Sequence, residues 1–313
     1  MSWRNVKAVH RTIFDCLNRD FVELAKEYVD GFPDFHDSNT LLIGSDYSGE
    51  SSKSPYSVYS FLLTTLESWT VFESKRLEVR KFCFSDTRRM SFKGLGDVQR
   101  QKALKPLLEA ANSLKGLSFT MAVNKKCVSF FPENGPMDLA NPDFYMFKKW
   151  KKRVLEKAFL ITHCISFLVA GLSREGQDIL WFTDEGDITA NDEYVCDLTS
   201  LFAWISSLYL QHDLGHCRVG TSRCDSGENQ IEDLLAIPDL VAGAISEQLS
   251  LESIKLSNKP TFFFKRSDFT DKTKNISWWL LDAKKHLKKF VCFVDPSVDG
   301  KGHLSSFFHF YDR

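Results

Sequence analysis

Apolar and polar positions along the chain alternate between two periods. Within 3–30, Val6, Val9, Ile13, Leu17, Phe21 and Leu24 recur at three- to four-residue spacing, which predicts one or two amphipathic helices ending near Gly31, Phe32 and Pro33. The stretch 40–46 is mainly apolar, ends on Asp46 and runs into the turn-rich 47–52, the pattern of a buried strand with an acid at its tip. Strand-like segments follow at 56–65 and 77–84, then a glycine-punctuated loop at 93–96. A helix is predicted over 97–114, with Leu104, Leu107, Leu108 and Ala111 on one face, Asp97 as N-cap and Gly116 as stop.

The second half repeats the alternation. A strand at 117–123 precedes a long helix at 144–172, and a buried strand at 178–183 again ends in acids, Asp184 and Glu185. A helix over 194–210, a polar stretch at 212–228 and a helical run at 231–249 follow. The tail mixes strands at 261–264, 290–294 and 304–310 with a helix near 276–287. No internal repeat or low-complexity linker is visible. Strands alternating with helices predict an α/β layer architecture with a mixed sheet. The expected division is an N-terminal helical segment (1–38), a core (39–250) and a C-terminal α+β extension (251–313) packed on that core.

Composition narrows the picture. A chain of 313 residues, 43% apolar and 26% charged, buries a core without disulfide or metal staples, and its 27 phenylalanines make that core aromatic. Lys and Arg number 40 against 41 Asp and Glu, a net charge of −1. Such a balance excludes a general nucleic-acid coat and confines any nucleic-acid partner to local patches. The charged N-terminus lacks the apolar run of a secretory signal, the apolar run 158–172 is short of the ~20 residues of a membrane span, and the eight cysteines lack framework spacing. The expectation is a cytoplasmic protein with reduced thiols and no membrane partner. His212, His216, Cys217 and Cys224 have ligand types that suit zinc without the spacing of a standard structural site, so a polar turn is the other reading.

Candidate chemistry lies with the acids. Asp46, Asp184 and Glu185 sit at strand tips, and Asp239 lies in a helical segment with Ala236, Ala242 and Gly243 three and four positions away. A flank of small residues lets a helix approach a sheet closely, although Pro238 also fits a helix that begins there, with Asp239 in its first turn. Carboxylates gathered in an apolar setting repel unless a cation lies between them, and hard oxygen ligands select Mg2+ or Mn2+. Two such ions can activate a water and stabilise the leaving oxygen of a phosphodiester. The competing reading makes each acid a solvated turn residue or N-cap.

Two basic clusters occur, at 148–153 and 284–289. The first interleaves Trp150 with Lys148, Lys149, Lys151, Lys152 and Arg153, which suits phosphate contact with base stacking or, equally, a solvated helix face. Lys93, beside Gly94, is a candidate phosphate contact or a loop lysine. Trp278 and Trp279 are read as core first and stacking platform second. No nucleophile elbow, phosphate-cradling glycine loop or dinucleotide fingerprint is present.

In order, the motifs resemble the bacterial domain-of-unknown-function family numbered 3800, whose members are regarded as metal-dependent nucleases with a ribonuclease H-like fold. Asp46-Tyr47-Ser48-Gly49 is similar to the family's Asp-Glu-Ser-Gly, and Phe92-Lys93-Gly94-Leu95 to its Lys-Gly loop. Trp181-Phe182-Thr183-Asp184-Glu185 looks like its strand ending in an acidic pair, and Asp239-Leu240-Val241-Ala242-Gly243 like its last helix. The likeness covers about 40–250. It implies a ribonuclease H-like mixed sheet flanked by helices and a nuclease acting on DNA or RNA with Mg2+ or Mn2+. Asp46, Asp184 and Asp239 would be ligands, with Glu185 a fourth ligand or water-orienting base, and Lys93, Lys149, Lys152 and Arg153 substrate contacts. A role in phage defence or mobile elements, with a protein partner, would follow by analogy. Two positions depart from the pattern: Tyr47 replaces an acid, a lost ligand that Glu50 is the candidate to replace, and Ala236 stands where the family has Gln. The alternative is therefore a catalytically silent subunit of the same fold that holds a protein or nucleic acid.

Overall fold

In the computed structural model, residues 3–6, 13–27, 31–84, 86–131, 138, 141–252, 269–282, 286–299 and 302–308 are described. Helix α1 (Ile13–Glu27) comes first. Strand β1 (Thr40–Ser48) is buried on both faces from Leu41 to Asp46, as expected of a strand covered by helices on each side. It turns into β2 (Tyr56–Thr65), which runs directly into α2 (Leu66–Cys83), where the Thr65 hydroxyl caps the helix by accepting from the Ser68 amide. Helix α3 (Val98–Ala111), capped by Asp97 as expected, leads to β3 (Gly116–Asn124). Helix α4 (Lys152–Leu172), β4 (Asp178–Thr183), α5 (Asp192–Tyr209), β5 (Cys217–Thr221) and α6 (Gln230–Glu252) follow, and then α7 (Asp271–Leu281), β6 (Leu287–Pro296) and β7 (His303–Phe308).

These strands form one seven-stranded sheet in the order β5-β4-β1-β2-β3-β6-β7. The β1–β2, β2–β3 and β6–β7 pairs are antiparallel, whereas β1–β4, β4–β5 and β3–β6 are parallel. The chain thus has the mixed α/β sheet flanked by helices that its alternating pattern predicts. Five strands, β1, β3, β4, β5 and β6, point the same way, so their C-terminal ends share one edge, where open α/β sheets place ligands.

Alternation along each strand divides the core into two layers. Leu41 and Ile43 of β1 face α1, α4 and α5, where Phe21, Phe167 and Trp181 are packed. Leu42 of β1 and Leu62 of β2 face α2, α3, α6 and α7. Helix α6 crosses β1 at Gly44, where an added Cβ would meet Leu234 at 3.2 Å. Among the described residues α4 and α6 are long and apolar enough to cross a membrane, yet 78% of each apolar window is buried inside the protein, as in core helices.

Several expectations are corrected. The segment 77–84 is not a strand but lies mostly in the last turns of α2. The buried positions of that helix are Phe72, Arg76 and Val79, a helical spacing hidden because its central member is charged. The expected long helix from 144 is broken: Pro142–Lys149 is a 3-10 helix capped by Asn141, and α4 begins at Lys152. Within the polar stretch 212–228 lies β5, an edge strand pairing with β4 and partly exposed, which erases its hydrophobic pattern. Pro238 does not start a helix but sits inside α6. The expected helix near 276–287 ends at Leu281, and Leu287 opens β6. The expected strand at 261–264 lies outside the described residues.

Candidate active site

Parallel pairing brings the strand-tip acids side by side. In the β1–β4 register Ser45 lies opposite Thr183, so Asp46 and Asp184 are the next positions on neighbouring strands, and the Asp184 amide donates to the Ser45 carbonyl at 3.1 Å. Both follow residues that face the inner core, so both point toward the α6 layer. Helix α6 brings Asp239 to the same place. Burial is the largest cause raising the Asp46 carboxyl well above the ordinary carboxylate range, with the charges of Asp239 and Asp184 adding to it. Burial likewise pushes Asp239 up to about 6, with Asp184 contributing, and raises Asp184.

Each acid is placed by a backbone amide. Tyr47 N–H donates to Asp46 Oδ1, and Phe92 N–H donates to Asp239 Oδ2 at 2.6 Å. The Phe92 ring lies over Gly243, one turn beyond Asp239, where an added Cβ would fall 2.2 Å from the ring. The small residues beside Asp239 thus seat the 91–97 loop on α6. Lys93 in that loop is exposed. Asp184 accepts a hydrogen bond from the Glu185 backbone, and the exposed Glu185 takes a hydrogen bond from Ser222 Oγ at 3.1 Å.

A buried polar row continues from Asp46 across the sheet. Asp46 pairs with Ser60, which pairs with Thr120, and the two hydroxyls bond each other at 2.9 Å. By contrast Asp295, another acid near a strand's C-terminal end, is bonded by the Tyr56 hydroxyl at 2.6 Å and Asn124 at 2.8 Å, a settled structural acid. Among the described residues no ion pair reaches Asp46, Asp184 or Asp239. Three cations act on them from the rim. Lys157 lowers Asp46 and Asp184, Arg89 lowers Asp184 and Asp239, and Lys272 lowers Asp239. Each is committed elsewhere: Lys157 to Glu50 and Asp187, Arg89 to Glu232 at 2.9 Å, and Lys272 to Glu247 at 3.9 Å. Sequence reasoning missed all three, and no linear motif joins them.

Among curated proteins no match is found, and no protein-family model matches the sequence. Among solved structures, the chain is similar to the ribonuclease H2 from Pyrococcus horikoshii OT3, at 12% identity, covering 78% of this chain and 86% of that one with a TM-score of 0.34.

Tyr47 is on the opposite face from Asp46. Its hydroxyl bonds Ser45 Oγ at 2.8 Å and Thr183 Oγ1 at 2.9 Å, so an acid at this position would also point away from the three carboxylates. The expectation that Tyr47 costs this centre a ligand is corrected on that ground. Glu50, the candidate replacement, is held by Lys157.

The basic cluster at 148–153 is divided. Lys149 pairs with Glu193 at 2.5 Å and Asp197 at 2.8 Å, and Trp150 is buried, stacked on Tyr194 and donating from Nε1 to Asp197 at 2.9 Å. Trp150 is therefore no stacking platform for bases. Lys152 and Arg153 are exposed in the first turn of α4. Of the second cluster, Lys284 and Lys285 lie outside the described residues. Trp279 is buried and Trp278 exposed. His212 is engaged by Arg4 at 2.6 Å and Ser173 at 2.9 Å.

The donor set of the acid centre, carboxylate oxygens in a buried setting, has the chemistry of a Mg2+ or Mn2+ site. Yet among the described residues no group of three or more His, Cys, Asp or Glu side chains forms a ready-made ion cage. Carboxylates with no cation seated between them repel, which keeps their spacing wide.

Proposed function

We propose that the protein is a divalent-metal-dependent nuclease hydrolysing nucleic-acid phosphodiesters, and a member of the family numbered 3800 that its motifs resemble. The observation that carries this reading is the convergence of Asp46, Asp184 and Asp239, three acids far apart in sequence: the charges of Asp184 and Asp239 raise Asp46, Asp184 raises Asp239, and among the described residues none of the three has an ion-paired partner. Asp46, Asp184 and Asp239 would hold the metal, which when bound supplies Lewis-acid activation of water and charge stabilisation at the phosphate. The Tyr47 and Phe92 amides keep Asp46 and Asp239 aimed into the centre. Glu185, exposed beside Asp184 and bonded by Ser222, would take a proton from an attacking water. Lys93, exposed on the 91–97 loop, would offer positive charge to an approaching phosphate.

The test is cleavage of labelled single- and double-stranded DNA and RNA with Mn2+, beside Asp46→Asn/Asp184→Asn, with calorimetric Mn2+ titration of both proteins. Cleavage and Mn2+ binding by the native chain, both lost in the variant, are expected. Cleavage that survives in the variant, or a native chain that binds no Mn2+, would sink the reading. The absence of a ready-made cage favours a second reading, a binding subunit that has lost catalysis. It predicts nucleic-acid or protein binding with no Mn2+ uptake.

A further inference from the structure

The C-terminal end of β1 serves two faces. Asp46 points toward α6, while Tyr47, the next residue, points toward α4, where a cleft of about 330 Å³ opens, within the size range of small-ligand sites. Tyr47 and Tyr59 form its floor, with ring centroids 5.9 Å apart. One wall is the start of α4, with Arg153, Glu156 and Lys157, and the other is the segment 125–131, with Lys125 and Phe130.

Charge and ring chemistry in the cleft are unevenly matched. Burial, and then the charge of Arg153, hold Lys125 below the ordinary lysine range, with Glu50 opposing them; the cleft is lined by three cations, Lys125, Arg153 and Lys157, against two acids, Glu50 and Glu156. Among the described residues Arg153 has no ion pair, and the Lys125 ammonium donates to the Ser51 carbonyl at 2.6 Å. Glu50, the acid nearest to Lys125 in its electrostatics, is engaged by Lys157. No side chain caps the N-terminus of α4, leaving its first-turn amides beside the same wall. Tyr59, pushed up to about 12 mainly by burial, stays a neutral hydroxyl donor at physiological pH. Two cations with no ion pair among the described residues, a helix start and aromatic rings in one concave site are what a phosphate joined to a planar base requires.

We propose that this cleft binds one nucleotide of a single-stranded nucleic acid, its phosphate between Lys125 and Arg153 and its base against the lining aromatic rings. The proposal deepens the nuclease reading by naming the substrate as unpaired strand. Since Asp46 and Tyr47 are consecutive at the end of β1, a strand leaving the cleft over that end would pass toward the acids on the other face. A duplex keeps its bases stacked inside and cannot fill the cleft.

Binding is measured by fluorescence anisotropy in EDTA at low salt with labelled oligo-dT, oligo-U and a hairpin duplex, and with ATP as a free-nucleotide competitor. Single strands are expected to bind in preference to the duplex. Arg153→Ala/Lys125→Ala should weaken them at least about tenfold and flatten the salt dependence by one to two units of slope. Arg153→Glu alters one exposed side chain and gives the same loss if the double variant does not fold. Equal affinity of wild type and variants, preference for the duplex, or no single-strand binding in EDTA would overturn the proposal. ATP binding as tightly as the strand would also overturn it, leaving a free-nucleotide site. Cleavage is absent from these assays, so failure of the nuclease reading leaves their outcome standing.

Discussion

At the scale of single residues, position on a face decides role. Asp46 and Tyr47 are neighbours in sequence, but one is among carboxylates and the other bonds two hydroxyls on the far side of β1. Tyr47→Phe should cost about 1 kcal/mol of stability through its lost hydrogen bonds. Calorimetry should show Mn2+ affinity unchanged, and a large loss would mean that Tyr47 does contribute to the centre. Asp239 makes a pH prediction. Its carboxyl rises from 3.8 to about 6 on folding, so the folded chain holds its proton more tightly than the unfolded chain. The resulting stability is full below about pH 4 and lost as pH rises through about 6. Without added metal, denaturant melts should therefore show stability falling over that interval, by on the order of 3 kcal/mol for this group. Asp239→Asn should remove that part of the slope. An unchanged slope would show that Asp239 is not the titrating group.

At the scale of elements, two contacts set how α6 lies. Arg76 is fully buried in α2, yet it and Arg80 bond Asp233 of α6 at 3.2 and 2.6 Å. Asp233→Ala takes away the carboxylate that Arg76 and Arg80 share, leaves Arg76 paired with Glu73 at 2.5 Å, and should cost roughly 1–3 kcal/mol in urea melts. No measurable loss would mean that Glu73 alone compensates Arg76. At the second contact, Gly243→Ala pushes on the Phe92 ring and should loosen the 91–97 loop for about 1–3 kcal/mol. Proteolysis within the loop should quicken, and any cleavage activity should fall by more than stability alone explains. These contacts were only half legible in the sequence. The small flank of Asp239 was visible, but the sequence pointed to a sheet beneath it, while the structure lays Phe92 on Gly243. Arg76 concealed the whole of α2, since hydrophobic periodicity is blind to a buried charge.

At the scale of the whole molecule, bringing the buried Asp46 beside the half-buried Asp184 and Asp239 works against folding while they are charged. Saturating Mn2+ at about a hundred times its dissociation constant should stabilise the native chain by about 2.7 kcal/mol, and the shift should vanish in Asp46→Asn/Asp184→Asn. A chain whose melting temperature ignores Mn2+ would favour the catalytically silent reading. Positions 40–46, 56–65 and 178–183 were legible as strands because burial on one or both faces writes itself into local apolar runs. The acids at their tips were visible for the same reason: each ends such a run. The sequence by itself therefore determined the layered α/β class, the main strands and the identity of the candidate acids. Only the tertiary structure decided that β4 lies parallel beside β1, which makes Asp46 and Asp184 adjacent, and that Tyr47 belongs to a different cleft. It also showed that Lys149 and Trp150 are committed to structure, and that Arg89, Lys157 and Lys272 surround the centre. Local periodicity reports whether a side chain is buried. Which distant side chains share its pocket depends on strand order and helix docking, and no short stretch of sequence encodes either.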